Sequence, residues 1–429
     1  MSVLILGATG FIGSVVAERL RSCGYAVTGL GRNPDRAKLQ HPDIRWLKAD
    51  LGDLTTAADW APLLAGQDIV VNCAGALQDG PHDDLAASQE RAMLALYAAA
   101  GQAGLRLIVQ ISANTADSGA ETAFLSTKRT ADRALASSGV PHVILRPALV
   151  IGRNAFGGTA LLRALAAMPG AIPIAYADNP IATVSVDDVA ACVAKAVAGA
   201  IPVGGDYDLA APEILRFRDL VALHRAWLGL PPVRILSLPG FVSRPVGALA
   251  DLAGRLGWRS PLRSTAMAVM AGGVSAGRQG ASPADVTLLT AAQTLARHPA
   301  GVQDVWFARL YLLKPLIVVI LSAFWLLSGL VPLLDPARAA YFLQPFMPTA
   351  VAFLATFLTC ALDIALGLAV LYRPWARRAL LGMLAVSAAY LVGGTILTPE
   401  LWLDPLGPFV KVLPSMVLAG VTIAILEER

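Results

Sequence analysis

Val3-Leu4-Ile5-Leu6 runs straight into Gly7-Ala8-Thr9-Gly10-Phe11-Ile12-Gly13, and this stretch decides the fold. Four aliphatic residues in a row suit a strand buried on both faces of a parallel sheet. Ser14-Val15-Val16-Ala17-Glu18-Arg19-Leu20 then has helical spacing and no breaker. Strand, glycine turn and helix together make a cradle for a dinucleotide pyrophosphate. Gly7 permits the tight turn, Gly10 lets the backbone approach the phosphates, and Gly13 lets the helix pack close to the strand. The helix N-terminus faces the anion. Thr9, Phe11 and Ile12 complete the turn and are read with the glycines as cofactor-binding.

Outward from this turn the strand–helix alternation continues to about residue 150. Further strands are expected at Ala26 to Leu30, Ile44 to Asp50, Ile69 to Asn72, Leu107 to Ser112 and Val143 to Pro147. An alanine-rich helix is expected from Arg91 to Gly101. Repeated units of this kind build a doubly wound parallel sheet with helices on both faces, an α/β fold of Rossmann type. Ligands of such sheets sit at the carboxyl ends of the strands.

From about 150 to 305 proline and glycine become frequent and the alternation fades. This region reads as a smaller substrate lobe, with a strand capped into a helix by Asp187 in Val184-Ser185-Val186-Asp187-Asp188-Val189. Phe241 to Trp258 can be drawn as an amphipathic helix. It is either part of a lobe that closes over a substrate or a helix lying on a membrane surface.

The 429-residue chain is 56% hydrophobic and only 15% charged, and its mean hydropathy is +0.60. That excess is concentrated after Trp306. Four stretches, about 312–334, 350–372, 379–397 and 409–426, approach the ~20 residues that cross a hydrocarbon core. They predict an all-α four-span transmembrane bundle over 306–429. The domains expected before it are a nucleotide-binding domain over 1–230 and the rest of the lobe with a linker over 231–305. Arg373, Arg377 and Arg378 put the loop between the second and third spans on the cytoplasmic side. Glu400 and Asp404 mark the next loop as outward. The expectation is a multi-pass protein of the inner membrane with both termini and the nucleotide domain in the cytoplasm. Trp306, Trp375, Trp402, Tyr311, Tyr341 and Tyr372 lie near span ends, as in an aromatic belt. The four-residue apolar run at the start reads as a first strand, not a signal peptide.

A net charge of +4 gives no reason to expect nucleic acid. Cys23, Cys73, Cys192 and Cys360 are far apart and the five histidines are scattered, so no metal site is expected. At the end of the second strand, where an acidic residue would favour NAD(H), stands Arg32, with Arg36 in support. It can meet a 2′-phosphate, which favours NADP(H) over NAD(H); a solvated surface arginine is the alternative. Asp50 and Leu51 are placed to contact adenine, and Asn72, Cys73, Ala74 and Gly75 to line the cofactor.

With Ser112, Lys128, Arg146-Pro147 and Val186 to Val189, these residues resemble the short-chain dehydrogenase/reductase superfamily over roughly residues 1–225. The likeness is to its extended and atypical branches, including members similar to the nucleotide-binding accessory subunit of respiratory complex I. The part after Trp306 is similar to the DoxX-like membrane family. The superfamily resemblance implies a Ser, Tyr and Lys active site in which the phenol moves a proton. The lysine lowers the phenol pKa and holds the nicotinamide ribose, and the serine orients a carbonyl. Ser112 and Lys128 fit that pattern, but in Phe124-Leu125-Ser126-Thr127-Lys128 a phenylalanine stands in the tyrosine position.

Three explanations stay open. Tyr176, or a water held by Ser112, supplies the proton; the reaction needs no strong acid; or the domain binds NADP(H) without turnover. The expected function is therefore oxidoreduction of a hydrophobic or membrane-resident molecule such as a quinone or a lipid. The alternative is a non-catalytic redox sensor or an assembly factor for a membrane protein complex. Asp363, a carboxyl inside a span, reads as a packing group, an ion partner of Lys411 or Lys314, or part of a proton or quinone site.

Overall fold

The computed structural model describes residues 1–75, 84–113, 122–274, 283 and 286–427. It divides into two compact units: Met1–Asp251 with Ser260–Val305, and Leu252–Arg259 with Trp306–Arg429.

In the first unit β1 (Ser2–Leu6), α1 (Phe11–Ser22), β2 (Ala26–Gly31), α2 (Asp35–Gln40), β3 (Arg45–Lys48), α3 (Ala57–Leu64) and β4 (Ile69–Asn72) alternate. They are followed by α4 (Ala92–Gln102), β5 (Leu107–Ile111), α5 (Ala123–Ser137) and β6 (His142–Pro147). After β7 (Leu149–Ile151), α6 (Gly158–Ala166), β8 (Ala171–Ala175), β9 (Pro180–Ser185) and α7 (Val186–Val197), β10 (Gly205–Leu209) rejoins the main sheet. The seven strands are parallel in the order β10-β6-β5-β4-β1-β2-β3. The order reverses between β1 and β4, and the crevice of such a sheet opens at that switch point.

Alternate residues of each strand feed two cores, because side chains alternate across a strand. Val3 and Ile5 pack with Val16, Leu20, Val189 and Val193 of α1 and α7. Leu4 and Leu6 pack with Trp60, Leu96 and Leu135 of α3, α4 and α5. Both faces are covered, which is why β1 is apolar throughout.

The region with fading periodicity forms two small sheets. β11 (Ile214–Arg216), β9 and β7 make one, and β12 (Arg234–Leu238) with β8 the other. Around them lie α8 (Phe217–Trp227), α9 (Ser243–Arg255), α10 (Ser264–Gly272) and α11 (Ala291–Arg297). The cap of α7 differs from expectation. Ser185 is the N-cap and its hydroxyl accepts from Asp187 N at 3.2 Å. Asp187 lies inside the first turn and pairs with His298 Nε2 at 2.7 Å. A short hydroxyl side chain in extended conformation reaches the second helical amide directly.

α12 (Val302–Leu330) begins in the first unit and continues into the second, where α13 (Pro336–Tyr341), α14 (Thr349–Ala369), α15 (Arg373–Leu397) and α16 (Val412–Ile425) follow. Val302–Leu334, Thr349–Ala369 and Arg373–Leu397 are long and apolar enough to span a membrane. The fourth apolar stretch is less helical than 409–426 suggests: α16 has 14 residues, about 21 Å of helix against a core of ~30 Å. Gly407 takes φ +57° and Pro408 follows it, so the helix starts only at Val412.

Small residues set the contact between α12 and α14. A Cβ on Gly329 would meet Cys360 O at 2.6 Å, and Ser322 Oγ donates to Gly367 O at 2.7 Å. Asp363 accepts from Ser328 Oγ at 2.9 Å. Lys314 donates to Leu426 O at 3.3 Å, and the bond to Ser328 agrees with the packing role among the alternatives left open for Asp363.

One buried base makes the first unit acid-sensitive. His224 in α8 is 2% exposed, and burial pushes its pKa from 6.5 down to about 4. The unfolded chain therefore binds the extra proton first. The stabilisation is complete above pH 6.5 and is lost as pH falls through about 4. A shift of this size corresponds to roughly 3 kcal/mol. Unfolding measured along an acid titration is expected to lose about that much between these limits, and His224→Gln should flatten the dependence.

Candidate functional site

The turn after β1 is built for close approach. Gly7 takes φ +69° and its N–H donates to Leu30 O at 3.1 Å. A Cβ there would sit 2.9 Å from Ala74 Cα, and one on Gly10 would sit 2.9 Å from Gly7 O. A Cβ on Gly13 would fall on the Gly7 carbonyl. α1 then starts from extended Gly10 with no side-chain cap, which leaves its N-terminus able to receive an anion. This crowded, uncapped turn fits a pyrophosphate.

The neighbouring strand ends frame it. Thr9 Oγ1 lies 3.3 Å from where a Cβ on Gly31 would be, which brings the end of β2 to the turn. Arg32 and Arg36 follow, both exposed. Asp50 caps a short 3-10 turn, accepting from Gly52 N at 3.0 Å, and Leu51 packs half-buried on the α3–α4 core. Phe11 and Ile12 are half-buried at the start of α1.

Asn72 is 2% exposed and its side chain is engaged within the protein. Its Nδ2 donates to Gln110 Oε1 at 2.9 Å, and its Oδ1 accepts from Ala74 N at 3.0 Å. The amide thus shapes the Ala74-Gly75 turn from within the protein. Gly75 leaves room for Lys128: a Cβ there would lie 3.5 Å from Nζ.

Lys128 is the centre of the site. It lies on α5, is 5% exposed, and donates to Ala74 O at 3.0 Å and Ile111 O at 3.1 Å. Burial lowers its pKa, opposed by the charge of Asp132 and by Cys73. An ammonium has three donors, and these two carbonyls take two of them. Ser112 follows β5, held by its N–H to Leu145 O at 2.8 Å. Its hydroxyl donates to Asp132 Oδ2 at 2.5 Å.

Asp132 is one helical turn beyond Lys128 on the same face of α5. It also receives Arg146 Nη1 at 2.8 Å. Arg146 on β6 in turn grips Asp206 on β10 through Nε at 2.7 Å and Nη2 at 3.1 Å. Burial raises the Asp132 pKa, and Arg146 and Ser112 work against that rise.

Phe124 occupies the same α5 face one turn before Lys128, half-buried. Its ring has no exchangeable proton. Tyr176 adopts φ +60° in the small lobe, and its phenol is bonded to Ser243 Oγ at 2.9 Å and Gly240 O at 3.4 Å. Tyr176 is therefore tied to its own lobe in this conformation. Cys73 is half-buried, and the desolvation there pushes its thiol up to about 12, so it is not a thiolate nucleophile. Among the described residues no cluster of three His, Cys, Asp or Glu side chains could hold a metal.

The structure brings Lys128, Ser112, Ala74 and Gly75 together at the carboxyl edge of β4 and β5, with the glycine turn beside β4 in the same edge. Sequence reasoning missed Asp132, Gln110 and Asp206. Asp132 had a signal, the four-residue step from Lys128. Gln110 and Asp206 reach the site only because β5 and β10 flank their partners' strands.

Residues 7–199 match the NAD(P)H-binding family and residues 322–420 the DoxX-like family. A (4-alkanoyl-5-oxo-2,5-dihydrofuran-3-yl)methyl phosphate reductase of Streptomyces griseus is 30% identical over 230 residues, 53% of this chain and 74% of its own length. An uncharacterized protein of Mycobacterium tuberculosis is 28% identical over 252 residues, 59% of this chain but 26% of its own. Among solved structures, the NADPH-dependent quinone oxidoreductase QOR2 of Escherichia coli, in complex with NADPH, is 22% identical. It covers 69% of this chain and 99% of its own, with a TM-score of 0.52. MoeE5, in complex with UDP-glucose and NAD, is 19% identical over 73% of this chain and 100% of its own, also at 0.52. At these identities the structural likeness is one of fold.

The buried charge network sets a stability difference between two neighbours. Asp132→Ala leaves Arg146 and Lys128 short of their shared anion and should cost about 3 kcal/mol. Ser112→Ala removes one hydrogen bond to a charged group and should cost about 1.5 kcal/mol. Denaturant unfolding of the two variants checks the order.

Proposed function

The chain belongs to the NAD(P)H-binding family and carries a DoxX-like membrane domain, and from that premise we propose that it is an NADP(H)-dependent reductase of a hydrophobic or membrane-associated small molecule. The observation that carries this is the pairing of an uncapped α1 N-terminus with Lys128, an ammonium buried at the same sheet edge whose third donor has no partner among the described residues. The Streptomyces relative, named a reductase, supports the direction of transfer. The arginines at 373, 377 and 378 support a cytoplasmic nucleotide unit, where the cofactor is supplied.

Bound in this cradle, the cofactor would supply a hydride from its nicotinamide. The α1 amides hold the pyrophosphate, and Arg32 with Arg36 meets the 2′-phosphate. Asp50 and Leu51 border the adenine. The remaining Lys128 donor binds the nicotinamide ribose. Ser112, whose proton points at Asp132 here, would position the substrate oxygen by turning its hydroxyl to donate to it. Phe124 supplies no proton, so the site suits an acceptor whose reduced oxygen water can protonate, such as a quinone or an activated double bond, over a simple ketone. Tethering to membrane spans raises the effective concentration of a bilayer-resident substrate.

Phe124 also favours a second reading, a non-catalytic NADP(H)-binding sensor or an assembly factor for a membrane complex. Turnover separates the two. The full-length protein is expected to oxidise NADPH with a quinone acceptor; tight NADPH binding without oxidation across a screen of quinones and lipid aldehydes would establish the sensor. Arg32→Glu should erase a preference for NADPH over NADH on the order of 10- to 100-fold, read as a ratio of dissociation constants. An unchanged ratio would remove Arg32 from the site. Phe124→Tyr should add carbonyl reduction if Ser112 and Lys128 are correctly set.

A further inference from the structure

Helix α9 is turned inside out relative to an ordinary surface helix. Its small residues Ser243, Gly247, Ala250 and Gly254 are the buried ones. Its large apolar residues face outward: Leu249 is 68% exposed, Leu252 53% and Val246 38%, and Phe241 just before the helix is 69% exposed. At 100° per residue Val246, Leu249 and Leu252 fall in one sector, Arg244 and Arg255 line one edge of it, and the small residues lie opposite.

The small side is held tightly. A Cβ on Gly247 would touch Ser264 Cα at 3.4 Å, and Asp251 Oδ1 accepts from Arg263 Nε at 3.1 Å and Ser264 N at 3.3 Å. The exposed stripe is therefore the fixed outward face of the helix.

The end of α9 shows what covers that face. Leu252–Arg259 belongs to the membrane unit. Leu256 O accepts from Arg373 N at 2.9 Å, and Trp258 Nε1 donates to Leu371 O at 2.6 Å. Leu371 to Arg373 is the short connection between α14 and α15, where the chain leaves and re-enters the apolar span region. Arg373 and Lys314 stand 5.6 and 5.9 Å from the centre of the Trp258 ring, the mixture of indole and cations found at a headgroup level. A helix that runs into this level, with an apolar face edged by arginines, has the chemistry of an interfacial helix on an anionic lipid surface.

We propose that α9 lies in the lipid headgroup region, with Phe241, Val246, Leu249 and Leu252 in the acyl boundary and Arg244 and Arg255 on lipid phosphates. The occupant of the exposed face is the bilayer. The assignment is independent of whether the chain turns over a substrate.

The test uses the full-length Cys23→Ser protein in nanodiscs of phosphatidylcholine with phosphatidylglycerol. An environment-sensitive fluorophore is placed on Leu249→Cys, Val246→Cys or Arg244→Cys, with the Cys23→Ser parent as label control. The labels at 249 and 246 should shift to the blue, lose quenching by aqueous iodide and gain quenching by doxyl-labelled lipids. The label at 244 should keep iodide quenching. Iodide access at 249 and 246 would overturn the proposal. So would protection from iodide without doxyl quenching, because a second copy or another protein would then cover the face. Depth is read without cofactor or acceptor, so an inactive enzyme leaves the result intact.

Discussion

The close approach of Gly13 to the Gly7 carbonyl is a backbone constraint on which the packing of α1 against the sheet depends. No side chain fits between the first turn of α1 and the end of β1. α1 therefore lies against the sheet, and α7 packs beside it in the same apolar core. α7 in turn fastens the segments that lead to the membrane. Asp188 Oδ2 accepts from Leu289 N at 2.8 Å and Asp187 holds His298. Beyond them Gly301 N and Arg153 Nη1 bind Asp304, in the first turn of α12, at 2.8 and 2.7 Å.

The chemical edge of the sheet has a different character. Two cations and a carboxylate, Lys128, Arg146 and Asp132, are nearly closed off from water, which favours their neutral forms unless each finds partners. Lys128 finds two carbonyls and a nearby anion. For Arg146, burial works against the charge, but Asp206 and Asp132 outweigh it and raise its pKa. Such a network is stiff and already committed to its own bonds. It can orient a cofactor and a substrate oxygen, and it lacks the exposed, readily titrating phenol that Phe124 displaces.

In the membrane unit the constraint is steric. Hydrocarbon gives no drive for one apolar helix to leave lipid for another, so close approach must come from small residues and polar contacts. Gly329, Gly367, Ser322 and the Ser328–Asp363 bond provide both between α12 and α14. The same use of small residues recurs in α9, where Gly247 and Gly254 face inward and leucines face out.

The chain by itself determined what depends on local pattern. Continuous apolar runs, glycine spacing and helical periods are local, and they carried the parallel sheet, the dinucleotide cradle and the position of the membrane part. Periodicity set the core of α16 but not its length, because Gly407 and Pro408 act on backbone conformation and not on hydropathy. Tertiary structure alone decided whatever rests on a neighbour distant in sequence. Asn72 turned inward because Gln110 lies beside it across β4 and β5. Tyr176 was taken by Ser243, and Lys314 by Leu426. Asp132 became the hub of the site only when β6 and β10 delivered Arg146 and Asp206. α9 has an amphipathic sequence in either environment; which of its faces is covered by protein follows from Arg263 and Ser264, and no pattern within the helix encodes them.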